Sequence, residues 1–410
     1  MELTPVQVAG DDPVEVLVSR VVGLREEIER LRRDIPDDDY IPAVVIVNSV
    51  LSAIRLEDRL VEAGFARDSL AIIRGLSHRA VRETRGKLLA LGTSAVEVGV
   101  DFRCDYLLFE AFEAASFLQR FGRVGRHRAG KAIALVPPNA FEGMRKLPDE
   151  IDRAAFEERI YAWYPSAEAY PWFVTTEHGM ITARALAENL VATVEADGQG
   201  RPEVLARLRE KIEAILSGHA ERLGCVTENA RAKLAFQRCA TGKSGAQWLK
   251  TYRRLNRFRT SLPSVKVHDF MEQHRRQDWE MGEYEADLAM LLKRAVDLRW
   301  NEKLGMLTIK GIGKYRRVHA SEIFSDEDCG LMLETEEYRD RLLLYQDGEA
   351  TPASDLMGRR NHIFAVVPKA DVEAELDWRL PVFEAGKYLI AFDGAALMLL
   401  ELWRRRRKAA

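Results

Sequence analysis

Residues 91–128 read LGTSAVEVGVDFRCDYLLFEAFEAASFLQRFGRVGRHR, and the rest of the chain is interpreted from this stretch. It joins a Thr93-Ser94 turn, a Gly99-x-Asp101 pair and a Gln119-x-x-Gly122-Arg123-x-Gly125-Arg126 run. With a helix over 114–126, Gln119, Arg123 and Arg126 fall at i, i+4 and i+7 on one face. Phe117, Phe121 and Val124 repeat that spacing on the neighbouring face and can bury it. Gly122 and Gly125 have no side chains, so another surface can approach closely. The expected product is a supported ridge offering two guanidinium forks and one amide to an anion. Arginine suits a site where a planar donor set meets phosphate oxygens. In phosphoryl transfer such arginines neutralise charge that develops on the transferring group.

Outward from this stretch, apolar runs alternate with helical patterns. The runs at 43–48 (AVVIVN), 70–74, 89–94, 105–110 and 131–136 read as strands, and 50–63 and 77–88 as helices. Short continuous apolar runs separated by helices imply a parallel sheet covered on both faces, hence a doubly wound α/β domain. Before it, 13–35 carries a helical pattern that the acidic break at 34–39 ends. After Pro137-Pro138 the chain reads as helical to about residue 257, with an apolar stripe through Leu205, Leu208, Ile212 and Ile215. Beyond Leu262-Pro263 the pattern is mixed, with a hairpin expected over 304–318 turning at Gly311 and Gly313. The tail WRRRRK at 403–408 is basic. The expected segments are 1–40 (helical lead-in), 41–140 (α/β domain), 141–260 (helical) and 261–410 (mixed α/β).

The length of 410 residues allows two or three domains with ample core. A net charge of −3 excludes a polycation, so any nucleic-acid binding must come from local basic surfaces. Cys104, Cys225, Cys239 and Cys329 are far apart and make no C-x-x-C pair, which argues against a structural zinc or a disulfide framework and suits a reducing, cytoplasmic setting. No secretory signal pattern opens the chain. The longest apolar run, 388–403, is broken by Asp393, Gly394 and Glu401, so it reads as a buried strand and helix rather than a membrane span.

Thr93 and Ser94 end a predicted strand, the edge where open α/β sheets bind ligands. Their hydroxyls and nearby N–H groups can hold a nucleic-acid phosphate without reading sequence. Asp101 can accept a bond from a ribose or orient an arginine. The plain alternatives are a serine-rich turn, a helix-capping Asp101, and arginines 123 and 126 bonded to Glu110 or Glu113. Three further signals fail. Thr241-Gly242-Lys243-Ser244 mimics the end of a phosphate loop, but the glycine the pattern needs is Gln237. Asp326-Glu327-Asp328 lacks the apolar strand that precedes a magnesium-binding acidic pair. His268-Asp269 is too short a match for a metal-dependent hydrolase, and no metal site is expected.

TSAVEVGVDF at 93–102 and FLQRFGRVGRH at 117–127 resemble motifs V and VI of superfamily 2 helicases. Together they are most similar to the CRISPR-associated helicase of type I interference systems, particularly type I-D. FRTSLPSVKVHD near Phe258 and YLIAFDGAALML near Tyr388 carry a weaker likeness to the same family. The resemblance implies one RecA-like doubly wound domain over 41–140. It makes Arg123 and Arg126 arginine fingers and Gln119 a γ-phosphate or water contact. Gly99 and Asp101 match the nucleotide end of motif V, and Thr93 and Ser94 its nucleic-acid end. Asn48 and Ser49 match motif IV and are expected to touch the nucleic-acid backbone, a helix N-cap being the alternative. Gly75 is expected to do similar work.

The resemblance also shows what is lacking. Such motors bind ATP and magnesium between two RecA-like domains, the first supplying the phosphate loop and the acidic pair. No G-x-x-x-x-G-K-[ST] occurs in the chain. The segment before residue 41 is too short for another domain of ordinary size. The reading is therefore the C-terminal part of the helicase, inactive alone and probing ATP held by a first RecA-like domain on another chain; a motor split across two polypeptides and a truncated or internally started product both fit. Its implied partners are single-stranded DNA, an RNA-guided surveillance complex and the nuclease subunit of that complex, with no membrane. The competing readings are a non-catalytic binding or assembly subunit with a relic RecA-like fold, and a half-motor of another superfamily 2 helicase.

Overall fold

The five apolar runs become parallel strands, and a sixth strand joins them. In the computed structural model the sheet runs β1-β6-β5-β2-β4-β3, where β1 is Glu2–Gln7, β2 Ala43–Ile46, β3 Leu70–Ile73, β4 Leu89–Gly92, β5 Tyr106–Glu110 and β6 Lys131–Val136. The residues described are 2–8, 12–73, 84–93, 103–125, 129–164, 172–196, 201–241, 248–249, 252, 264–277, 279–316, 318–333, 342–346, 349–353, 363–373 and 382–409.

Every strand of the pairs β2–β4, β2–β5, β3–β4 and β5–β6 is parallel. Val44 and Ile46 point into one apolar layer with Phe109, Phe117 and Phe156. Ala43, Val45 and Val47 point into the other with Leu17, Val21, Leu56 and Leu60. Burial on both faces is why these strands read as unbroken apolar runs. The helices α1 (Pro13–Gly23), α2 (Arg25–Asp34) and α3 (Val50–Glu62) carry the second layer, and α4 (Ala114–Phe121), α5 (Pro138–Met144) and α6 (Arg153–Trp163) the first.

Four local expectations are corrected. Strand β1 was not legible, because ELTPVQ is half exposed and holds Pro5; it pairs in parallel along β6 from Glu2↔Lys131 to Gln7↔Val136, an edge position where proline is tolerated. The pattern at 13–35 is two helices broken at Leu24, not one. The helix expected over 114–126 stops at Phe121, with Gly122 as its cap. Residues 84–88 form a turn rather than the end of a helix, and the rest of 77–83 lies outside the described residues.

Two compact units form, Met1–Ala167 with Val265–Arg316, and Glu168–Ser264 with Arg317–Ala410. The expected segments 1–40 and 41–140 therefore share one unit, while 261–410 is divided between both. In the first unit, Arg299–Asn301, Met306–Ile309, Ser264–Asp269 and Glu283–Asp287 make a small sheet in that order. The hairpin expected over 304–318 is displaced. Met306–Ile309 pairs antiparallel with Arg299–Asn301, and Gly305, at φ 63°, makes the turn. Asp269 caps the helix Phe270–Arg276, accepting from Met271 N at 3.0 Å and Glu272 N at 3.1 Å.

That helix is held to α3 by charge. Arg276 Nη2 donates to Glu57 Oε2 at 2.7 Å and its Nε to Glu272 Oε1 at 3.1 Å. Arg275 pairs with Asp58 at 2.6 Å and with Glu272 at 2.7 Å, and Arg67 reaches Glu57 at 2.5 Å. Glu57 and Glu272 are fully buried. Burial pushes the Glu57 carboxyl up, with Arg276 and Arg67 opposing the shift. Nearby, the buried Arg294 forks onto Asp12 at 2.6 and 3.0 Å.

In the second unit the helices Glu177–Val194, Pro202–Arg222 and Val226–Thr241 precede a mostly antiparallel seven-stranded sheet among the described residues. The run at 388–403 is a strand, Tyr388–Phe392, followed by the helix Asp393–Ala409, whose Ala395, Ala396, Leu399 and Leu400 cover Ala365, Val367, Leu389 and Ala391. The stripe on Pro202–Arg222 is covered only in part: Leu205 is buried, but Ile215 is 59% exposed.

Removing one partner of a buried ion pair leaves the other charge uncompensated, at about 3–5 kcal/mol. Arg276→Ala leaves Glu57 with Arg67 and Glu272 with Arg275, so a smaller loss is expected, about 1–3 kcal/mol of unfolding free energy in a urea titration. An unchanged unfolding free energy would show that Arg276 adds nothing to the cluster.

Candidate nucleotide and nucleic-acid interface

The carboxyl ends of β5, β2 and β4 lie side by side, because Ile46 is in register with both Phe109 and Gly92. The residues that follow therefore share one edge: Glu110, Val47 leading into Asn48-Ser49, and Thr93. Thr93 is buried, and its N–H donates to Ile73 O at 3.3 Å. Ser49 is the N-cap of α3, its Oγ accepting from Ser52 N at 3.0 Å. Asn48 donates from its backbone to Glu110 Oε2 at 3.1 Å. Asn48 and Ser49 thus have local partners, and the capping role weighed from the sequence is present at Ser49.

The centre of this edge is a residue that the sequence reading passed over. Arg120 is 3% exposed. Its Nη1 donates to Asn48 Oδ1 at 2.7 Å and to the carbonyl of Glu110. One guanidinium thereby ties the loop after β2 to the end of β5. A signal for it was present: Arg120 lies three residues after Phe117, on the buried side of α4, beside the more conspicuous arginines. Burial pushes the Glu110 carboxyl up, against the Asn48 N–H and the nearby charge of Arg120.

Helix α4 is seated by its rings. Phe117 meets Phe109 edge-on at 5.5 Å and stacks on Phe121 at 5.7 Å, and Phe121 lies 5.2 Å from Phe156. After Phe121 the chain leaves helical geometry. Arg123 N donates to Arg120 O at 2.9 Å, and Gly125 takes φ 75°, a left-handed value suited to glycine. Val124 is buried, and a Cβ on Gly130 would come within 2.6 Å of Val124 Cγ2. The Gly-Arg-x-Gly segment is thus a loop pinned by Phe121 before it and Val124 within it.

This corrects the expected ridge: Gln119 is exposed on the last turn of α4, whereas Arg123 is half-buried in the loop and not four residues along the same helix. Both glycines serve the backbone turn. Arg126, Gly99, Asp101, Gly75 and Ser94 lie outside the described residues. Among the described residues no group of three metal-ligating side chains converges. The Asp269 carboxylate is committed to its helix cap and to Tyr284 OH at 3.1 Å, and His268 stacks on Trp279 at 4.0 Å. Asp326 accepts from Lys387 at 3.0 Å and from Tyr388 OH at 2.7 Å at an exposed turn. The lysine-containing 242–247 lies outside the described residues.

Residues 41–129 match the family model of the CRISPR-associated nuclease/helicase Cas3, C-terminal. The chain is similar there to the C-terminal part of a CRISPR-associated helicase. No curated protein sequence matches it. Among solved structures, a CRISPR-associated protein is 15% identical over 65% of this chain and 30% of its own, with a TM-score of 0.33. Cas3 of T. fusca is 17% identical over 57% of this chain and 27% of its own, with a TM-score of 0.26. The E. coli DEAD-box protein SrmB is 19% identical over 37% of this chain and 87% of its own, also with a TM-score of 0.26. The chain thus spans under a third of the two CRISPR-associated proteins. Among the described residues no helix is long and apolar enough to cross a membrane.

Arg120→Ala removes a donor from Asn48 Oδ1 and from the Glu110 carbonyl, at about 1–3 kcal/mol for each buried acceptor left without it. Its melting temperature should fall clearly below wild type, while Gln119→Ala, at an exposed position, should stay within about 0.5 kcal/mol. Equal melting of the two variants would remove Arg120 from the centre of this edge.

Proposed function

We propose that this chain is the C-terminal half of an ATP-dependent DNA helicase or translocase of a type I, specifically I-D, CRISPR interference system. The observation that carries the reading is the Gln119–Arg123 segment, fixed beside the carboxyl edge of a parallel sheet within the region that matches the Cas3 C-terminal model. Ligands of open α/β sheets bind outside that edge. Arg123 and Arg126 act as arginine fingers, and Gln119 contacts the γ-phosphate or the attacking water.

Thr93 and Ser94 hold the nucleic-acid backbone, together with Asn48, Ser49 and Gly75, while Gly99 and Asp101 face the nucleotide. For Asn48 and Ser49 this contact uses polar atoms beyond those already bonded in the Arg120 network and the helix cap. A separate domain with a phosphate loop binds and aligns the triphosphate. Magnesium is assigned to that domain with its phosphate loop, and no step at this edge is routed through it. Positioning and charge neutralisation are then this chain's share of the work. Single-stranded DNA, a surveillance complex carrying guide RNA and its nuclease subunit are the corresponding partners, in the cytoplasm. Segments 141–260 and 261–410 serve the strand and the complex.

An arginine finger is worth roughly 10³-fold or more in rate. Alone, the purified chain should release no phosphate above background. Mixed with a protein carrying the phosphate-loop domain and with single-stranded DNA, it should raise ATP hydrolysis, and Arg126→Ala should abolish the rise. DNA binding without any such rise, or a rise indifferent to Arg126→Ala, would favour a non-catalytic binding subunit instead.

A further inference from the structure

The helix Asp393–Ala409 changes character along its length. Its first turns are core, with Ala395, Ala396, Leu399 and Leu400 buried. Its last turns carry Arg404, Arg405, Arg406 and Arg407, of which the last three are exposed. Arg404 is engaged locally, 3.3 Å from Glu401 and 3.9 Å from Glu177. Arg405 and Arg407 are placed differently. The Arg405 guanidinium lies over the Trp172 ring at 5.6 Å, and that of Arg407 over Trp403 at 5.1 Å. Trp403 is itself pinned, donating from Nε1 to Asp371 Oδ2 at 2.8 Å. Among the described residues neither Arg405 nor Arg407 forms an ion pair.

A guanidinium laid on an indole face keeps its N–H edges for a second partner and loses little freedom on meeting one. Basic residues at a helix C-terminus also complement the macrodipole, worth about 0.3–1 kcal/mol. That accounts for a cation or two in the last turn. It does not account for consecutive arginines, two of them set on separate tryptophans. With an overall charge of −3, this end of the helix is a local basic surface rather than part of a general field.

We propose that Arg405 and Arg407, seated on Trp172 and Trp403, grip the phosphodiester backbone of single-stranded DNA. Two positions apart on a helix, they project about 200° from each other around the axis. A flexible strand can pass over the helix end and meet both, whereas a rigid duplex or a flat acidic protein face meets one. The ring–guanidinium stacks also offer planar surfaces to the strand's bases. This rests on reading the chain as a strand-handling subunit, but it places the contact in the second unit, independent of nucleotide.

The test is fluorescence anisotropy of labelled oligo(dT) with the full chain, across a salt series, without nucleotide or a second domain. A failure here leaves the arginine-finger reading standing, and a failed composite ATPase leaves this site standing. The double variant R405Q/R407Q should bind roughly three- to tenfold more weakly and lose about 1–1.5 from the slope of log K against log salt. R405K/R407K should keep the slope and lose only part of the affinity. RNA and duplex DNA of matching sequence, and polyglutamate as competitor, test the choice of partner. The proposal is overturned by no binding of wild type at low salt, by equal affinity of R405Q/R407Q, or by RNA, duplex or polyglutamate binding as well as oligo(dT).

Discussion

One buried guanidinium holds the polar edge of the first unit together. A parallel sheet covered on both faces has no solvent along its strands, so polar groups collect where the strands end. Arg120 joins two of those ends, bonding Asn48 after β2 and the Glu110 carbonyl at the end of β5. Asn48 leads directly into Ser49, whose hydroxyl starts α3. Helix α3 in turn presents Glu57 and Asp58 to the arginines of Phe270–Arg276. The chain of dependence runs from one side chain on α4, along α3, to a helix distant in sequence.

The same physics explains why the glycine-arginine run is a loop. Rings at Phe117 and Phe121 seat α4, and Gly122 ends it. Gly125 supplies a left-handed backbone, and Gly130 permits Val124 to settle against the chain. A continuing helix would carry Val124 and the arginines along a straight axis. The turn instead brings an apolar anchor back onto the core and leaves Arg123 half-buried beside it. A short loop held at close intervals can present a guanidinium in a fixed place, which is what charge neutralisation in a transition state demands.

The carboxylates of the first unit stand in contrast to its apolar layers. Glu57 and Glu272 are fully buried and share Arg276. Burying charge is unfavourable unless every member finds a partner. The cluster therefore specifies which surface of 265–316 meets α3 more than it adds net stability. Its members come from positions whose closeness no periodicity announces.

The sequence by itself determined the parallel sheet, since runs such as AVVIVN can be buried on both faces in few other ways. It marked Asn48 and Thr93 at the ends of those strands, and the Gln119–Arg123 segment, because residue type and spacing are local quantities. The likeness to the Cas3 C-terminal model covers 41–129, the same region. Tertiary structure decided the rest. The edge strand β1 depends on a partner more than a hundred residues away, beyond the reach of any window. The end of α4 at Phe121 is followed by a loop in which Val124 is buried where only a glycine fits at 130. Arg120, ordinary in the sequence, became the central side chain only once Asn48 and Glu110 were brought to neighbouring strand ends. Long-range pairing of polar groups has no period, so only the folded chain reveals it.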